Sequence, residues 1–314
     1  MQHLRRAIVI ALLFIISCGP SEPVQLRVNL QKGDKYVQTV VTDQSIKQQI
    51  MGMAEAQEQK TKTSITYTVE CTEVDDSGTT IKVTYDRIQV EKDGSSGKSS
   101  YDSEKDKEPT NPDALAYAKM IDHGFSVKLS PRSEVVDMIG IEEFLERVYS
   151  SLELPDDETG RQIRQMLKTQ FGPQTMKHML ERSYIPYPEK EVGEGDSWNK
   201  LVDMGGAGIP IQVDSTYTIK DLGSSEVILE TRGKISSDKE QAMKILSMEM
   251  KYNLSGTMDG EQVVDLDRGV LVESSVVQEM KGDMIIHGAP GMPAGGEGMK
   301  IPMEMTTKIT LTTE

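Results

Sequence analysis

Aromatic side chains, cysteine and histidine are scarce in this chain, and each shortage excludes a kind of site. The 314 residues include 2 cysteines, 4 histidines and 1 tryptophan, and aromatic residues make up 5%. No His-x-His, His-Glu-x-x-His or Cys/His cluster occurs, which argues against a zinc site. If Cys18 is acylated, as argued below, no second thiol is left to pair with Cys71 in an intrachain disulfide. We interpret Cys71, which shares one side of a predicted strand with Tyr67 and Val69, as a buried small hydrophobe.

Positively charged residues are also few relative to negatively charged residues. The chain carries 35 Lys and Arg residues against 50 Asp and Glu residues. Removal of Arg5 and Arg6 with a signal peptide would take the net charge from −15 to −17. With this excess of acidic residues we expect no basic stripe on the surface, which argues against nucleic-acid binding. For the same reason we expect the body of the protein to stay off anionic lipid surfaces.

Recognisable catalytic motifs are lacking as well. The chain has no Gly-x-Ser-x-Gly elbow and no phosphate-binding loop. Ser-x-x-Lys recurs in the chain, for example at Ser95 to Lys98 and at Ser197 to Lys200, but the motifs that accompany it in serine acyl-enzymes are missing. We therefore predict a protein that is not an enzyme and that holds no metal and no cofactor. An enzyme of unrecognised type is the third interpretation, after a binding protein and a structural scaffold.

One long apolar run is present, from Ala7 to Ile16. Ten residues are too few to cross a bilayer as a helix, and they match the apolar core of a signal peptide that starts with Arg5 and Arg6. The segment Ile15-Ile16-Ser17-Cys18 resembles the lipobox of bacterial lipoproteins. The resemblance implies that residues 1–17 are a signal peptide and that Cys18 carries acyl chains such as palmitate. An uncleaved anchor with an incidental cysteine is the alternative.

A lipid on Cys18 also predicts a location. Each buried CH₂ group contributes about 0.8 kcal/mol, so two or three acyl chains anchor a protein firmly. Residues 18–23, with Gly19 and two prolines, are predicted to form a short extended tether. Because Gly19 and not aspartate follows the cysteine, the resemblance to lipoprotein sorting in Gram-negative cells favours the outer membrane. We expect a protein of the cell envelope whose membrane contact is the lipid alone.

Strand and helix patterns divide the rest of the chain. Residues 24–139 are predicted to form a first β unit, which begins with a strand at Val24 to Leu30 and contains a disordered, low-complexity loop at 92–112. Apolar spacing in residues 140–185 predicts a helical connector, and residues 186–314 are predicted to form a second β unit. The predicted fold class is α+β, mostly curved antiparallel β-sheet in two related units with a helical connector.

The two β units share a short motif. Lys32-Gly33-Asp34-Lys35-Tyr36 resembles Glu194-Gly195-Asp196-Ser197-Trp198. A repeated β unit is our interpretation, and coincidence between generic turn-and-strand patterns is the alternative. In each motif glycine and aspartate favour a turn, and the aromatic residue begins a strand. We prefer this structural role to a catalytic role for Asp34 or Asp196.

The order of these features resembles an uncharacterised family of bacterial lipoproteins, a domain of unknown function. The likeness rests on the lipobox, the two Gly-Asp motifs, the Phe125 to Ser130 strand and turn, the helical middle and the Leu266 to Leu271 hairpin. Such a family implies no activity and no functional residues. A more distant likeness, at the level of fold alone, is to periplasmic lipoprotein carriers, which are curved antiparallel half-barrels that hold acyl chains.

Methionine is the residue type in excess, with 19 residues. Because its thioether side chain adapts to varied apolar contacts, we interpret six strand methionines as candidate ligand-binding residues around an apolar cavity. They are Met248, Met250, Met258, Met280, Met303 and Met305. Ordinary packing in an aromatic-poor core is the alternative. A soft-metal site at His287, Met292 and Met299 is a third and less favoured interpretation.

Together these features predict an envelope-anchored, non-catalytic lipoprotein that binds a hydrophobic ligand or an envelope partner. The competing prediction is a structural scaffold with a filled sheet interior and no small ligand. In that case function would reside in loops such as Lys92 to Pro112.

Overall fold

The computed structural model describes most of the chain beyond the predicted signal peptide. The described residues are 22–49, 55–95, 97–109, 111–150, 152, 156–181, 183–203, 211–238, 242–245, 248–288 and 298–314. Cys18, residues 1–17 and Met292 lie outside these ranges. The lipid anchor therefore stays a prediction from sequence.

The described residues form thirteen strands and four helices. The strands are β1 (Lys35–Gln48), β2 (Gln57–Asp75), β3 (Gly78–Gly94), β4 (Gly97–Asp102), β5 (Gly124–Leu129), β6 (Val135–Ile139), β7 (Ser197–Asp203), β8 (Ile211–Leu222), β9 (Glu226–Ser237), β10 (Ala242–Ile245), β11 (Met248–Asp265), β12 (Val270–His287) and β13 (Met299–Thr313). The helices are α1 (Pro112–Met120), α2 (Ile141–Ser150), α3 (Glu158–Phe171) and α4 (Pro173–Glu181). Within the described ranges, no helix combines the length and the apolar character needed to cross a bilayer.

All thirteen strands belong to one antiparallel sheet. Its order is β6-β5-β3-β2-β1-β13-β12-β11-β9-β8-β7, with β4 on β3 and β10 on β11. The first and last strands of the chain, β1 and β13, lie side by side in the middle of the sheet, so each predicted β unit forms one half of it. Helices α2, α3 and α4 connect β6 to β7. The predicted α+β class, dominated by antiparallel sheet, is confirmed.

The sheet is strongly curved, and contacts between its two edges show this. Glu134, directly before β6, forms an ion pair with Lys200 of β7. The backbone N–H of Tyr187 donates to the carbonyl of Arg132 at 2.9 Å. We call this contact region, formed by Arg132, Glu134, Tyr187 and Lys200, the seam. Because it draws the edge strands together, the sheet has an enclosed inner face and a solvent-facing outer face.

The two Gly-Asp motifs form matching turns. The N–H of Gly33 donates to the carbonyl of Cys71 on β2, and the N–H of Gly195 donates to the carbonyl of Ile219 on β8, each at 2.8 Å. The two glycines have φ values of 96° and 85°, in the left-handed region that favours glycine. In both turns the following aspartate accepts a hydrogen bond from the N–H three residues earlier. This shared geometry supports the repeated-unit interpretation.

The prediction of a disordered loop at 92–112 is wrong for most of its length. Strand β3 continues into this segment, β4 lies within it, and α1 begins at its end. The carboxylate of Asp102 accepts bonds from the Arg87 guanidinium at 2.9 and 3.3 Å and from the N–H of Glu104 at 3.1 Å. The Arg87 contact holds the pKa of Asp102 well below its usual range. These specific bonds order a segment whose composition alone predicts disorder.

The predicted first strand at Val24 to Leu30 is also wrong, because this segment is extended but lies outside the sheet. It makes one bridge, between Val24 and Val192. Leu26 and Leu30 are buried nevertheless, and the N–H of Val28 donates to the carbonyl of Pro131 at 2.9 Å. The alternating pattern therefore reflects burial of one side of the segment against the curved sheet.

Candidate functional site

The six candidate methionines share the inner face of the second half of the sheet. Met280 of β12 lies directly opposite Met305 of β13, and Met250 of β11 lies opposite Ile286. Because side chains alternate between faces along a strand, all six point inward. The structure thus brings together residues that the sequence places on three separate strands.

These methionines fill the interior. Met258, Met280, Met303 and Met305 are only 4–5% exposed, and Met250 is half-buried. A cavity large enough for a ligand would leave its lining accessible to a water-sized sphere. The inner methionines therefore pack as core side chains in this structure, as the packing alternative predicts.

Two glutamine side chains hold two of the thioethers in place. The Gln44 amide donates to the Met305 sulfur at 3.6 Å, and the Gln278 amide donates to the Met258 sulfur at 3.6 Å. Gln278 is itself buried. Such bonds give the flexible methionine side chains fixed positions, which a pliable lining would lack.

An enclosed cavity lies at the other end of the inner face, but it is small. Its volume is about 10 Å³, and its walls include Tyr36, Tyr184 and Tyr187. The hydroxyl of Tyr184 is buried there and has no hydrogen-bond partner among the described residues. A space of this size holds one water molecule and no organic ligand.

The large concavity lies on the outer face of the sheet. It has a volume of about 730 Å³ and is formed where β1, β2, β3, β4 and β13 run side by side. This volume is within the usual range of ligand pockets. Five lysines and three carboxylates line it, together with serine and threonine hydroxyls. We call it the outer groove.

Charges alternate across the floor of the outer groove. One cross-strand row runs from Lys308 through Asp43 and Lys62 to Glu91, each directly opposite the next. Neighbouring strands are about 4.8 Å apart, so the two lysines of this row are about 10 Å from each other. The side chains of Lys62, Lys308 and Asp43 make no ion pair or hydrogen bond with any described residue.

A second row lies beside the first. It runs from Ser45 through Lys60 and Asp93 to Lys98. Here partners are present, because Lys98 lies 2.9 Å from Asp93 and Lys60 lies 3.4 Å from Glu58. The groove still carries two more lysines than carboxylates, in a chain whose net charge is −15.

The outer groove was not predicted as a site from the sequence. A usable signal was present, because Lys60 and Lys62 on β2 and Glu91 and Asp93 on β3 occupy alternate positions of one hairpin. Lys92 to Ser100 also belong to the segment where the scaffold interpretation placed function. The contribution of β13 depends on pairing between the two ends of the chain, which no local pattern predicts.

The proposed soft-metal residues are not brought together. Met299 lies opposite Ile286 on the inner face, whereas His287 alternates to the outer face and lies over Gly298. In the described part of the chain, no group of three or more His, Cys, Asp or Glu residues is arranged to hold a metal ion. Met292 lies outside the described residues.

Comparison with known proteins gives a family without an assigned activity. The model of a family of unknown function, DUF6263, matches residues 76–271. No curated protein matches the chain.

Solved structures give only remote likeness. An outer membrane channel from Pseudomonas putida F1 is 9% identical, with a TM-score of 0.24 over 94% of this chain and 100% of the channel. OccK2 (OpdF) from Pseudomonas aeruginosa is 6% identical, with a TM-score of 0.21 over 90% and 99%. Salmonella typhi OmpF is also 6% identical, with a TM-score of 0.21 over 90% and 98%. These scores are too low to identify a common fold, and no property of these proteins is transferred to this chain.

Proposed function

This chain belongs to the family of unknown function DUF6263, and we propose that it is a lipid-anchored, non-catalytic envelope protein that binds an envelope partner through its outer groove. The family supplies no activity to inherit. The proposal therefore rests on the residues of this chain.

The anchor is proposed from sequence. The basic start, the apolar run Ala7 to Ile16 and the small residue before Cys18 are in the register of a lipoprotein signal. Acyl chains on Cys18 would hold the protein at the membrane, with Gly19 favouring the outer membrane of a Gram-negative cell. The described fold begins after this tether, so the anchor and the groove are separate parts of the chain.

The observation that carries the binding proposal is the contrast between the two faces of the sheet. The inner face is closed by side chains that are 4–5% exposed, such as Met280 and Met305, whereas the outer face has a groove of about 730 Å³. Lys62 and Lys308 in that groove have no described partner. Ligand-sized space and available charge therefore coincide on the outer face.

A hydrophobic ligand under the sheet is the second candidate. It is favoured by the half-buried side chains of Met248, Met250, Met284 and Ile286, where the apolar inner face reaches the ends of β11 and β12. An acyl chain could enter there only if the packed methionines behind them moved. Native mass spectrometry with lipid extraction on protein purified without detergent tests this candidate, which predicts a stoichiometric apolar ligand.

Cosedimentation with envelope fragments tests the groove. Every strand and helix of the described residues lies between Lys35 and Thr313, so the body from Gly19 onward contains all of them and can be used without its lipid. We expect salt-sensitive cosedimentation that falls at least tenfold in the double variant Lys62→Glu, Lys308→Glu. The control is Lys82→Glu, Lys234→Glu, which changes the charge equally at exposed positions outside the groove.

If both double variants cosedimented equally well with envelope fragments, this result would contradict binding through the groove. The anchor is tested separately in the full chain, where Cys18→Ser should move the protein from the membrane fraction to the soluble fraction. Loss of membrane association in the groove variant alone, with Cys18 acylated, would contradict the assignment of anchoring to the lipid.

A further inference from the structure

The spacing of like charges in the outer groove is regular. In the first row, Lys62 and Lys308 flank Asp43 from the two neighbouring strands, and in the second row Lys60 and Lys98 flank Asp93 in the same way. Strands are about 4.8 Å apart, so each lysine pair spans about 10 Å with a carboxylate midway. An elongated ligand that lies across the strands would therefore meet a lysine at every second strand.

The groups between the lysines suit hydroxyl-bearing ligands. Carboxylates such as Asp43 accept hydrogen bonds from hydroxyl groups, and the hydroxyls of Ser100 and Thr306 can both donate and accept. The described residues that line the groove include no aromatic side chain, so they offer no surface on which a base or a flat ring could stack. A polar, hydroxylated chain that carries charge only at intervals meets these conditions.

We propose that the outer groove binds an acidic polysaccharide whose anionic groups recur on alternate sugars. Lys62 and Lys308 take the anionic groups, and Asp43 between them takes the hydroxyls of the intervening uncharged sugar. The inference rests on the proposed function and names the chemical class of its partner.

The carboxylates make the groove selective among polyanions. A polymer with an anionic group on every sugar would place charge over Asp43 and Asp93 as well as over the lysines. Like charges held a few ångströms apart repel, and this repulsion would offset the attraction of the lysines. The alternating row therefore discriminates by charge spacing, beyond any preference for total charge.

Direct binding to defined oligosaccharides tests the inference. The probes are hyaluronan oligosaccharides with a carboxylate on alternate sugars, oligogalacturonides with a carboxylate on every sugar, and uncharged dextran. We expect titration calorimetry on the body from Gly19 onward to show hyaluronan binding that weakens with salt, at least tenfold weaker oligogalacturonide binding, and no dextran binding. In Lys62→Glu, Lys308→Glu the hyaluronan affinity should fall at least tenfold, whereas Lys82→Glu, Lys234→Glu should retain it.

Asp43→Asn gives the sharpest discrimination. It removes the intervening charge at an exposed position whose side chain makes no hydrogen bond or ion pair with a described residue, so the fold should be unaffected, and a thermal melt checks this. We expect oligogalacturonide affinity to rise severalfold while hyaluronan affinity changes less than twofold. Equal gains for both polymers would show that the groove responds only to total charge and would overturn the inference.

Three further outcomes separate this inference from the proposed function. If envelope cosedimentation depends on the lysines but none of the oligosaccharides binds, the inference fails and the proposed function stands. If polyglutamate binds as tightly as hyaluronan, the groove accepts any polyanion and the inference also fails. If the lysine variant leaves envelope binding unchanged, the proposed function fails regardless of the sugar result.

Discussion

The two halves of the sheet bury their inner faces by different means. In the first half, helices cover the sheet, and Phe144 of α2 packs 5.9 Å from Tyr85 and 5.5 Å from Phe125 between ring centroids. In the second half, methionines such as Met280 and Met305 fill the space inside the curve of the sheet. A chain with few aromatic residues thus concentrates them where helix and sheet must lock together. In the second half, the unbranched and flexible methionine side chains adapt to the space inside the curve of the sheet.

The largest expected effect concerns the aromatic packing between helix α2 and the first half of the sheet. Phe144→Ala should lower the free energy of unfolding by about 3–5 kcal/mol, because it removes a buried ring and leaves a cavity between α2 and the sheet. Chemical denaturation of the body from Gly19 onward measures the change. Glu142→Ala on the exposed side of the same helix is the control, with an expected change below about 0.5 kcal/mol. A loss below about 1 kcal/mol for Phe144→Ala would mean that the helices are not part of the cooperative core.

The second prediction concerns the methionine side. Met305→Ala should destabilise by about 2–4 kcal/mol, since it leaves a cavity opposite Met280 and removes the acceptor of the Gln44 amide. Met305→Leu conserves volume and should cost less than about 1.5 kcal/mol. Denaturation curves of the two variants give both values. A negligible loss for Met305→Ala would indicate a loosely filled interior and would strengthen the hydrophobic-ligand candidate.

The third prediction tests whether the two Gly-Asp turns, one in each half of the sheet, are equivalent. Gly33→Ala and Gly195→Ala each place a side chain at positive φ, where steric strain costs about 1–2 kcal/mol. No heavy atom outside the chain neighbours lies within 4 Å of the new Cβ at either glycine, so the backbone strain is the whole effect and the two losses should be similar. Gly94→Ala, in a strand without positive φ, is the control and should cost less. Losses that differ by more than about 1 kcal/mol would argue against equivalent turns.

The sequence predicted features that depend on neighbouring residues and missed those that depend on distant pairing. Gly33 and Gly195 were correctly assigned to turns, and the helical spacing at Ile141 corresponds to α2. The order around Asp102 was missed, because it depends on a carboxylate that gathers donors from another strand. The outer groove was missed for a related reason: Asp43 and Lys308 become neighbours only when β1 pairs with β13.

The smallest expected effect lies at the seam, where the two halves meet. Partial burial would raise the pKa of Glu134, but bonds to Lys200 and Arg132 outweigh burial and lower the pKa below its ordinary value of 4.5. A carboxylate with a lowered pKa stabilises the folded state above the unfolded-state pKa, and this contribution is lost as pH falls through the folded-state pKa. Glu134→Gln should therefore cost about 1 kcal/mol at pH 7 and progressively less below pH 4.5.

Denaturation of wild type and Glu134→Gln across pH 3–7 measures this convergence. Glu189→Gln is the matched control, because Glu189 contacts Arg132 from a side chain that is 81% exposed and should contribute little at any pH. A constant difference between wild type and Glu134→Gln down to pH 3 would contradict an ionised Glu134 as the source of the stabilisation. If the stabilities of wild type and Glu134→Gln instead converge at low pH, charged groups at the sheet edges help to hold its curvature. This contribution is independent of how the inner face is packed in each half.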